Sequence, residues 1–487
     1  RVLVFGMDED SVMIATSPNR QVFMQNYSII GFLTFDSAKK NLRIAELPVY
    51  QIEDIDDLLR LIPRNNLDGI LFPNIKTVRR ERDRLIHYCE QASLKPLVVP
   101  DMEEVHEGGM KRSVREIRIE DLLGREEISI NLGEIGLLLK DKTILVTGAA
   151  GSIGSEICRQ LVHFPIKKLI CLDAAETPMH DLRLELEEKY KELDFVPIIG
   201  DVRNPDRVDY VFRNWHPQVV FHAAAYKHVP LMEENPCEAV RTNVFGTRVI
   251  ADAAVSYGVE KFVMISTDKA VNPTNIMGCS KRLAEIYVQS LSVAISKGAL
   301  AGNTKFITTR FGNVLGSNGS VIPRFRDQIA KGGPVTVTHP DIIRYFMTIP
   351  EACRLVLEAG TMGKGGEIFI FDMGEPVKIA DLAKRMIELS GLQVDKDIEI
   401  KYTGLRPGEK LYEELLSNKE NTKETPHEKI RVAAVREYAY KDVVEHIDLL
   451  AELSLHVHIL PMVKEMKSFV PEFKSQNSQF TRLDGVN

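Results

Sequence analysis

Short apolar runs alternate with helix-spaced apolar positions along most of the chain, in two separate rhythms. The first covers residues 1 to about 100. Strand-like runs at 1–6, 28–35, 67–72 and 97–99 are separated by a helical stretch with Ile55, Leu58, Leu59 and Ile62 on one face and by a charged helical segment from Thr77. With Pro, Gly and Asn at the breaks, this pattern predicts a small parallel α/β domain over residues 1–110. Residues 111–140 are charge-rich and read as a connector with a short helix. The second rhythm opens at Thr143, with Val- and Ile-rich runs at 143–147, 169–173, 196–200, 219–222, 261–265 and 306–309. Such runs predict a parallel sheet covered by helices on both faces. The expected class is therefore α/β, with a doubly wound parallel sheet at 141–310. A smaller lobe is expected at 311–420, where Gly and Pro loosen the pattern. A tail over 421–487 carries one amphipathic helix (Val443, Val444, Ile447, Leu450, Ala451) and a loose polar end.

Composition narrows the class. At 487 residues, 44% hydrophobic and 27% charged, the chain can build two or three cores. Its net charge of −7 arises from interspersed acids and bases, and the absence of a basic run argues against a nucleic-acid partner. Cys89, Cys158, Cys171, Cys237, Cys279 and Cys353 are scattered without a C-x-x-C pair, which predicts reduced thiols in the cytoplasm. No stretch reaches the roughly 18–20 apolar residues that span a bilayer. Because the chain opens at Arg1 directly on a strand-like segment, we expect a preceding segment, and any anchoring to the inner membrane would lie there.

The run ILVT is followed by Gly148-Ala149-Ala150-Gly151-Ser152-Ile153-Gly154 and then by a helical stretch. In a strand–turn–helix unit, Gly148 permits the tight turn, Gly151 lets the backbone approach a pyrophosphate, and Gly154 lets helix and strand pack. Ser152 and Ile153 open a helix whose dipole favours phosphate. The next strand ends in Asp173, placed to accept adenosine ribose hydroxyls; Ala174 and Ala175 follow it rather than an arginine, which favours NAD over NADP. These features predict a Rossmann-type NAD site, against the alternative of a glycine-rich turn without a ligand. Asp201, with Val202, stands where an adenine amino group would lie, or serves as a helix cap. Ala223, Ala224 and Ala225 admit the cofactor backbone-close, or merely pack. By contrast, the first turn of the N-terminal domain reads Met7-Asp8-Glu9-Asp10, with three carboxylates where a pyrophosphate would need bare amides. That domain is read as Rossmann-like without an intact fingerprint, structural or regulatory in role.

The fifth strand of the second rhythm ends in Ser266-Thr267-Asp268-Lys269, at the carboxyl edge where ligands of such sheets bind. A cap and a surface ion pair are the structural alternative. GAAGSIGSE, HAAAYKHVPLMEENP, NVFGT, STDKAVNPTNIMGCSKR, RFGNVLGSNGSVIPRF, RYFMTIPEA and LRPGEKLYEELL occur in this order. Together they resemble the extended short-chain dehydrogenase/reductase superfamily. More narrowly, residues 141–420 resemble the UDP-N-acetylglucosamine 4,6-dehydratases of bacterial polysaccharide and glycoprotein-sugar biosynthesis, in their large membrane-anchored branch. The N-terminal domain is similar to that branch's extra cytosolic domain.

The resemblance implies NAD as cofactor, UDP-N-acetylglucosamine as substrate and a homo-oligomer. The superfamily's Tyr-x-x-x-Lys is represented by Met277 and Lys281, and a methionine has no proton to exchange. The branch is similar in carrying methionine there, so the group that deprotonates the C4 hydroxyl stays open; a water relay to Lys281 or Asp268 is the hypothesis. A 4,6-dehydratase moves hydride from C4 to the cofactor, eliminates water across C5–C6 and returns hydride to C6. The C5 proton is acidic once C4 is a ketone. By resemblance Lys269 removes it, Asp268 protonates the leaving C6 hydroxyl, Thr267 binds the C4 oxygen and Lys281 binds the nicotinamide ribose. An acid in that role must hold its proton near neutrality, which an apolar pocket favours.

Lys227 and His228 match a loop near the active site in the family, and Asn243 a cofactor-proximal support. Lys227, Arg310, Asn313, Arg344, Arg406 and Glu409 match nucleotide-sugar-binding positions, with Arg344 and Arg406 as the preferred diphosphate and ribose contacts; surface ion pairs are the alternative. His456 and His458 would share a face on a strand, yet no further ligand completes a metal site, so no metal is expected. Two other functions compete: a nucleotide-sugar 4-epimerase, which needs no C5 base or C6 acid, and a non-catalytic NAD or sugar sensor.

Overall fold

The apolar runs of the first rhythm become strands of one sheet. β1 (Val2–Phe5), β2 (Ile29–Thr34), β3 (Arg43–Ile44), β4 (Leu47–Gln51), β5 (Gly69–Phe72), β6 (Lys95–Val98) and β7 (Arg115–Glu116) lie in the order β3-β4-β2-β1-β5-β6-β7. Neighbours from β4 to β6 are parallel, and the short edge strands β3 and β7 are antiparallel. β1 and β5 are buried at every residue, as strands covered on both faces must be. β4 escapes the sequence reading because Pro48 interrupts its apolar run; Pro48 stands just before the first pair of the parallel ladder with β2, Phe32 with Val49, where a missing N–H costs little. The turn after β1 opens the helix Glu9–Thr16, and Asp8 Oδ1 accepts from Ser11 N at 2.9 Å and from Ser11 Oγ at 2.6 Å. The helix thus caps itself with its own carboxylate, on amides a phosphate would otherwise use.

In the computed structural model these strands belong to one of two compact bodies, made of Arg1–Glu126, Gly319–Val337 and Ala380–Lys401; the other comprises Glu127–Asn318, Thr338–Ile379 and Tyr402–Asn487. The stretch 311–420 is divided between them. The structure describes residues 1–17, 27–40, 42–99, 103–105, 109–111, 114–123, 128, 130–414, 421–434 and 436–485.

The second body is built on β8 (Thr143–Thr147), β9 (Lys168–Asp173), β10 (Phe195–Ile199), β11 (Val219–His222), β12 (Lys261–Thr267), β13 (Lys305–Phe311), β14 (Glu367–Phe371), β15 (Asn421–Glu424) and β16 (Ile430–Ala434), in the order β10-β9-β8-β11-β12-β13-β14-β16-β15. From β10 to β14 the pairing is parallel, and β16 and β15 close the edge antiparallel. This is the expected Rossmann-type doubly wound sheet. β14 to β16 lay outside the expectation: the run EIFIF has the apolar character of a buried strand, but the glycines and prolines around it suggested loop. Strand order reverses between β8 and β11, so their carboxyl ends open the crevice where ligands of such sheets sit. On one face pack helices Leu132–Leu139, Ser152–Leu161, Glu176–Lys189 and Ile349–Met362; on the other pack Pro205–Trp215, Thr247–Ser256, Ile276–Ser296, Tyr440–Leu455 and Ile459–Phe469.

The end of the chain differs from the expected loose tail. A second helix, Ile459–Phe469, follows the amphipathic one, and Phe473 and Phe480 are each only 1% exposed. The Lys474 and Gln476 amides donate to the Pro273 and Thr274 carbonyls, and the Gln476 carbonyl accepts from Gly408 N. Two phenylalanines anchor a segment whose polar composition masked its packing. His456 and His458 lie in the turn between the two helices, with Val457 at φ +57°, and not on a strand. Among the described residues no helix is long and apolar enough to cross a membrane.

Candidate active site

The glycine turn is the first part of the site. β8 ends at Thr147 and Gly148 turns the chain at φ +65°. A Cβ on Gly148 would lie 2.6 Å from the Ala224 backbone nitrogen, one on Gly154 would overlap the Gly148 carbonyl oxygen, and one on Gly151 would sit 3.3 Å from that oxygen. Gly151 is the N-cap of the helix Ser152–Leu161, where among the described residues no side chain caps the first turn. Its amides, including those of Ser152 and Ile153, are therefore available, unlike those beyond Asp8. A cavity of about 450 Å³ borders the turn, lined in part by Ala150, Ser152, Arg159 and Asn318.

Asp173 ends β9 beside this turn, accepting from Ala150 N and Ala175 N at 2.9 Å each. Asp201 accepts from Arg203 N at 2.9 Å and pairs with the Arg203 guanidinium at 2.6 Å. Burial pushes its carboxyl up, but Arg203 outweighs this and holds it below the ordinary carboxylate value. Val202 is buried against Gly246. Ala223 N donates to the Thr147 carbonyl, which leads Ala224 and Ala225 past the glycine turn.

The acid–base cluster forms because β12 runs two residues beyond its apolar run, so that Ser266 and Thr267 stand on the strand and Asp268–Ala270 make one 3-10 turn. Thr267 Oγ1 donates to Asp268 Oδ1 at 2.9 Å. Asp268 is 0% exposed; its Oδ1 also accepts from Lys269 Nζ at 3.0 Å, while Oδ2 has no partner among the described residues. Gly312 lines this oxygen: a Cβ there would stand 3.0 Å away. Lys269 Nζ further donates to Asn313 Oδ1 at 3.2 Å and faces Glu413 Oε1 at 3.6 Å. Burial pulls the Lys269 amine down, but Asp268 and Glu413 more than offset it against the opposing Arg344, and its pKa stays above the ordinary value.

Met277 and Lys281 lie one turn apart on the helix Ile276–Ser296, which Asn275 caps through Gly278 N at 2.7 Å. Met277 is buried among apolar side chains. Lys281 Nζ donates to the Ile265 carbonyl at 2.7 Å, and burial pushes its pKa down to about 8 with Glu285 opposing. This helix approaches Lys269 so closely that a Cβ on Gly278 would overlap the Lys269 carbonyl oxygen. Gly278→Ala is therefore expected to displace one of the two segments; a misplacement of about 1 Å lowers turnover by roughly 10²-fold. Steady-state rates beside a melting curve would show it, and a variant with unchanged turnover would mean that the close approach is dispensable.

Two further polar residues tie these pieces together. His222 is 0% exposed and bridges Thr147 Oγ1 at 2.7 Å and Thr247 Oγ1 at 2.9 Å; burial and then Lys281 push its pKa down to about 3, so it is a neutral link between strands and helix. Asn243 sits in a π-helical turn, Val240–Gly246, accepting from Tyr226 N at 2.8 Å and donating to Tyr226 O at 3.0 Å and Ser280 Oγ at 2.9 Å. It pins the loop carrying Lys227 to the helix of Lys281, as π-turns near functional sites often do. Lys227 Nζ donates to Ser317 Oγ at 3.3 Å, and burial lowers its pKa. His228 is lowered by burial, then by Lys227 and Arg406.

The expected sugar-nucleotide residues separate into two groups. Asn313 and Arg344 adjoin the cluster: Arg344, 9% exposed, donates to the Ile343, Leu411 and Lys410 carbonyls and pairs with Glu409 at 3.4 Å and Glu413 at 3.7 Å. Arg406 is half exposed and pairs with Glu409 at 3.1 Å, so Glu409 joins the two arginines. Their loop is seated on the start of the Lys281 helix, where the Gly408 carbonyl accepts from Thr274 Oγ1 and Asn275 Nδ2 at 3.0 Å each. Arg310 does not join them. β13 continues through it, placing the buried side chain in a bidentate pair with Glu285 at 2.8 and 2.7 Å, so that its Nε and Nη2 donors are committed to that carboxylate and not turned to a substrate. Its role is corrected to a core ion pair. Glu413 is the residue the sequence reading overlooked: it belongs to the quoted LYEELL, where an acid between Tyr412 and Glu414 gave no cue to burial.

Fold and cluster define an extended Rossmann-type α/β protein with a Thr-Asp-Lys group at the carboxyl edge of its sheet. The chain belongs to the polysaccharide biosynthesis protein family, whose model matches residues 144–435. It is 46% identical over 422 residues to the capsular polysaccharide biosynthesis protein CapD of Staphylococcus aureus, an alignment covering 86% of this chain and 68% of that protein's length. It is also 38% identical over 287 residues to the UDP-glucose 4-epimerase of Rickettsia akari, covering 58% of this chain and 80% of that protein. The X-ray structure of Pen from Bacillus thuringiensis, 37% identical, matches with a TM-score of 0.56 over 62% of this chain and 89% of that one.

Proposed function

We propose that this chain is a nucleotide-sugar dehydratase of polysaccharide biosynthesis that uses NAD to convert UDP-N-acetylglucosamine to a UDP-4-keto-6-deoxy-N-acetylhexosamine. The observation that carries this reading is the Asp268–Lys269 pair: a fully buried acid, with one oxygen unpartnered among the described residues, beside an amine just past the carboxyl end of β12. Dehydration needs an acid at C6 and a base at C5, and epimerisation needs neither. The name of the CapD relative and the motif resemblance support polysaccharide and UDP-N-acetylglucosamine chemistry respectively.

The residues of the glycine turn fit NAD: Gly148 and Gly154 permit backbone approaches that a Cβ would block, and Gly151 stands at a helix start that no side chain caps among the described residues. Asp173 is oriented there by two amides and has Ala174 and Ala175 beside it. When bound, NAD would accept hydride from C4 and return it to C6. The chain does the rest. Thr267 holds the C4 oxygen, and Lys269 takes the C5 proton made acidic by the C4 ketone and later returns it. Asp268, a carboxylate at rest, takes a proton derived from the C4 hydroxyl, through water or Lys281, and passes it to the departing C6 hydroxyl. Met277 closes the apolar side against water. Arg344, Arg406 and Lys227 supply cationic groups for the diphosphate.

Asp173→Ala is expected to weaken NAD binding about 10- to 100-fold, the worth of charged hydrogen bonds to the ribose; titration of cofactor binding checks it, and unchanged affinity would remove Asp173 from the site. The function itself is tested by incubating the protein with UDP-N-acetylglucosamine and weighing the product. Loss of one water supports dehydration. A product of equal mass supports the second reading, a 4-epimerase, which the 38% identity to the Rickettsia akari enzyme favours. No change of substrate would exclude both.

A further inference from the structure

Glu413 has no part in the reaction as set out above, yet it is the second acid on the Lys269 amine. Its side chain is 4% exposed, Oε1 stands 3.6 Å from Lys269 Nζ and 3.7 Å from Arg344 Nε, and Oε2 has no partner among the described residues. Asp268, Glu413 and Arg344 are the charged groups facing Lys269, and Arg344 is shared in turn with Glu409 at 3.4 Å. Two of the three donor directions of the ammonium are taken by Asp268 Oδ1 and Asn313 Oδ1. Among the described residues the third faces Glu413 Oε1 at 3.6 Å. A base for C5 must be a neutral amine, and an ammonium between two carboxylates is not one. Asp268 has to carry the C4-derived proton to the C6 hydroxyl, so a different acceptor has to take the resting proton of Lys269.

We propose, resting on the dehydratase reading, that Glu413 is a positioning residue that takes this proton within the ion pair and so presents Lys269 to the substrate as a neutral amine. An N–H bond of the ammonium breaks as an O–H bond forms on Glu413, giving amine and carboxylic acid with no net change of charge. The amine then takes the C5 proton and returns it after hydride has reached C6, and Glu413 gives its own proton back to Lys269 at the end of the turnover. Closure of the site by substrate favours the transfer, because a dry pocket penalises the charged pair more than the neutral one.

The test is the pH–rate profile of water loss from UDP-N-acetylglucosamine for the unsubstituted enzyme, Glu413→Gln and Glu413→Asp. With internal transfer, the unsubstituted enzyme should be nearly flat around neutrality. Glu413→Gln should be about 10²-fold slower at pH 7 and recover with rising pH, as solvent removes the proton that Glu413 no longer takes. Glu413→Asp should restore a flat profile at part of the rate. A Glu413→Gln loss that is the same at every pH, or no loss, would overturn the inference. Absence of water loss from the unsubstituted enzyme would instead overturn the dehydratase reading beneath it.

Discussion

Lys269→Arg is expected to lower the rate of water loss by about 10²–10⁴-fold, the range for removal of a general base, while leaving the fold intact. Arginine preserves a cation between Asp268 and Glu413, whose side chains are 0% and 4% exposed, but it does not give up its proton near neutrality. The more obvious Lys269→Met would remove the cation and strand two buried carboxylates, so a loss of rate there would mix chemistry with instability. Lys269→Arg keeps the charge and removes only the base. Melting curves matching the unsubstituted protein, with water loss gone, are the expected pair of results. Retained water loss would take Lys269 out of the base role.

The largest effect on stability is expected from Arg310→Met. Arg310 and Glu285 form a bidentate pair with both side chains at 1% exposure or less, and Ser266 Oγ and Arg282 complete the shell of Glu285. Removing one partner of a buried pair typically costs about 3–5 kcal/mol, because the remaining charge is left without compensation. Burial pushes the Glu285 carboxyl up, but Arg310 and Arg282 overcome it and lower its pKa from 4.5 to about 2. A carboxyl depressed in the folded state contributes stability that is fully present above its unfolded pKa and is lost as pH falls through the folded one. The gap between the unsubstituted protein and Arg310→Met should therefore be widest at neutral pH and narrow between pH 4.5 and about 2. Melting temperatures across that range would measure it, and a gap independent of pH would point to lost packing instead of lost charge.

Much of the second body was legible in the sequence because its strands are continuous apolar runs with punctuation at their ends, and a glycine spacing leaves few alternatives for the chain. The six expected strands appear to within two residues. Those two residues matter: extending the sixth strand carried Arg310 into the core. An arginine in a family motif reads as a ligand contact until its partner is known, and Glu285 lies on a helix distant in sequence, so no local pattern announces the pair. Glu413 was hidden for the same reason. β14, β15 and β16 were obscured by the glycines and polar residues around them, and the packed chain end by its composition, since single buried phenylalanines leave no periodic trace.

The central claim, that one site oxidises C4, removes water and reduces C6, is tested most directly by giving the enzyme UDP-N-acetylglucosamine deuterated at C4 and locating the label by NMR. The dehydratase reading predicts a product that has lost water and carries the deuterium at C6. Deuterium still at C4 in a product of unchanged mass, with that carbon inverted, would contradict it.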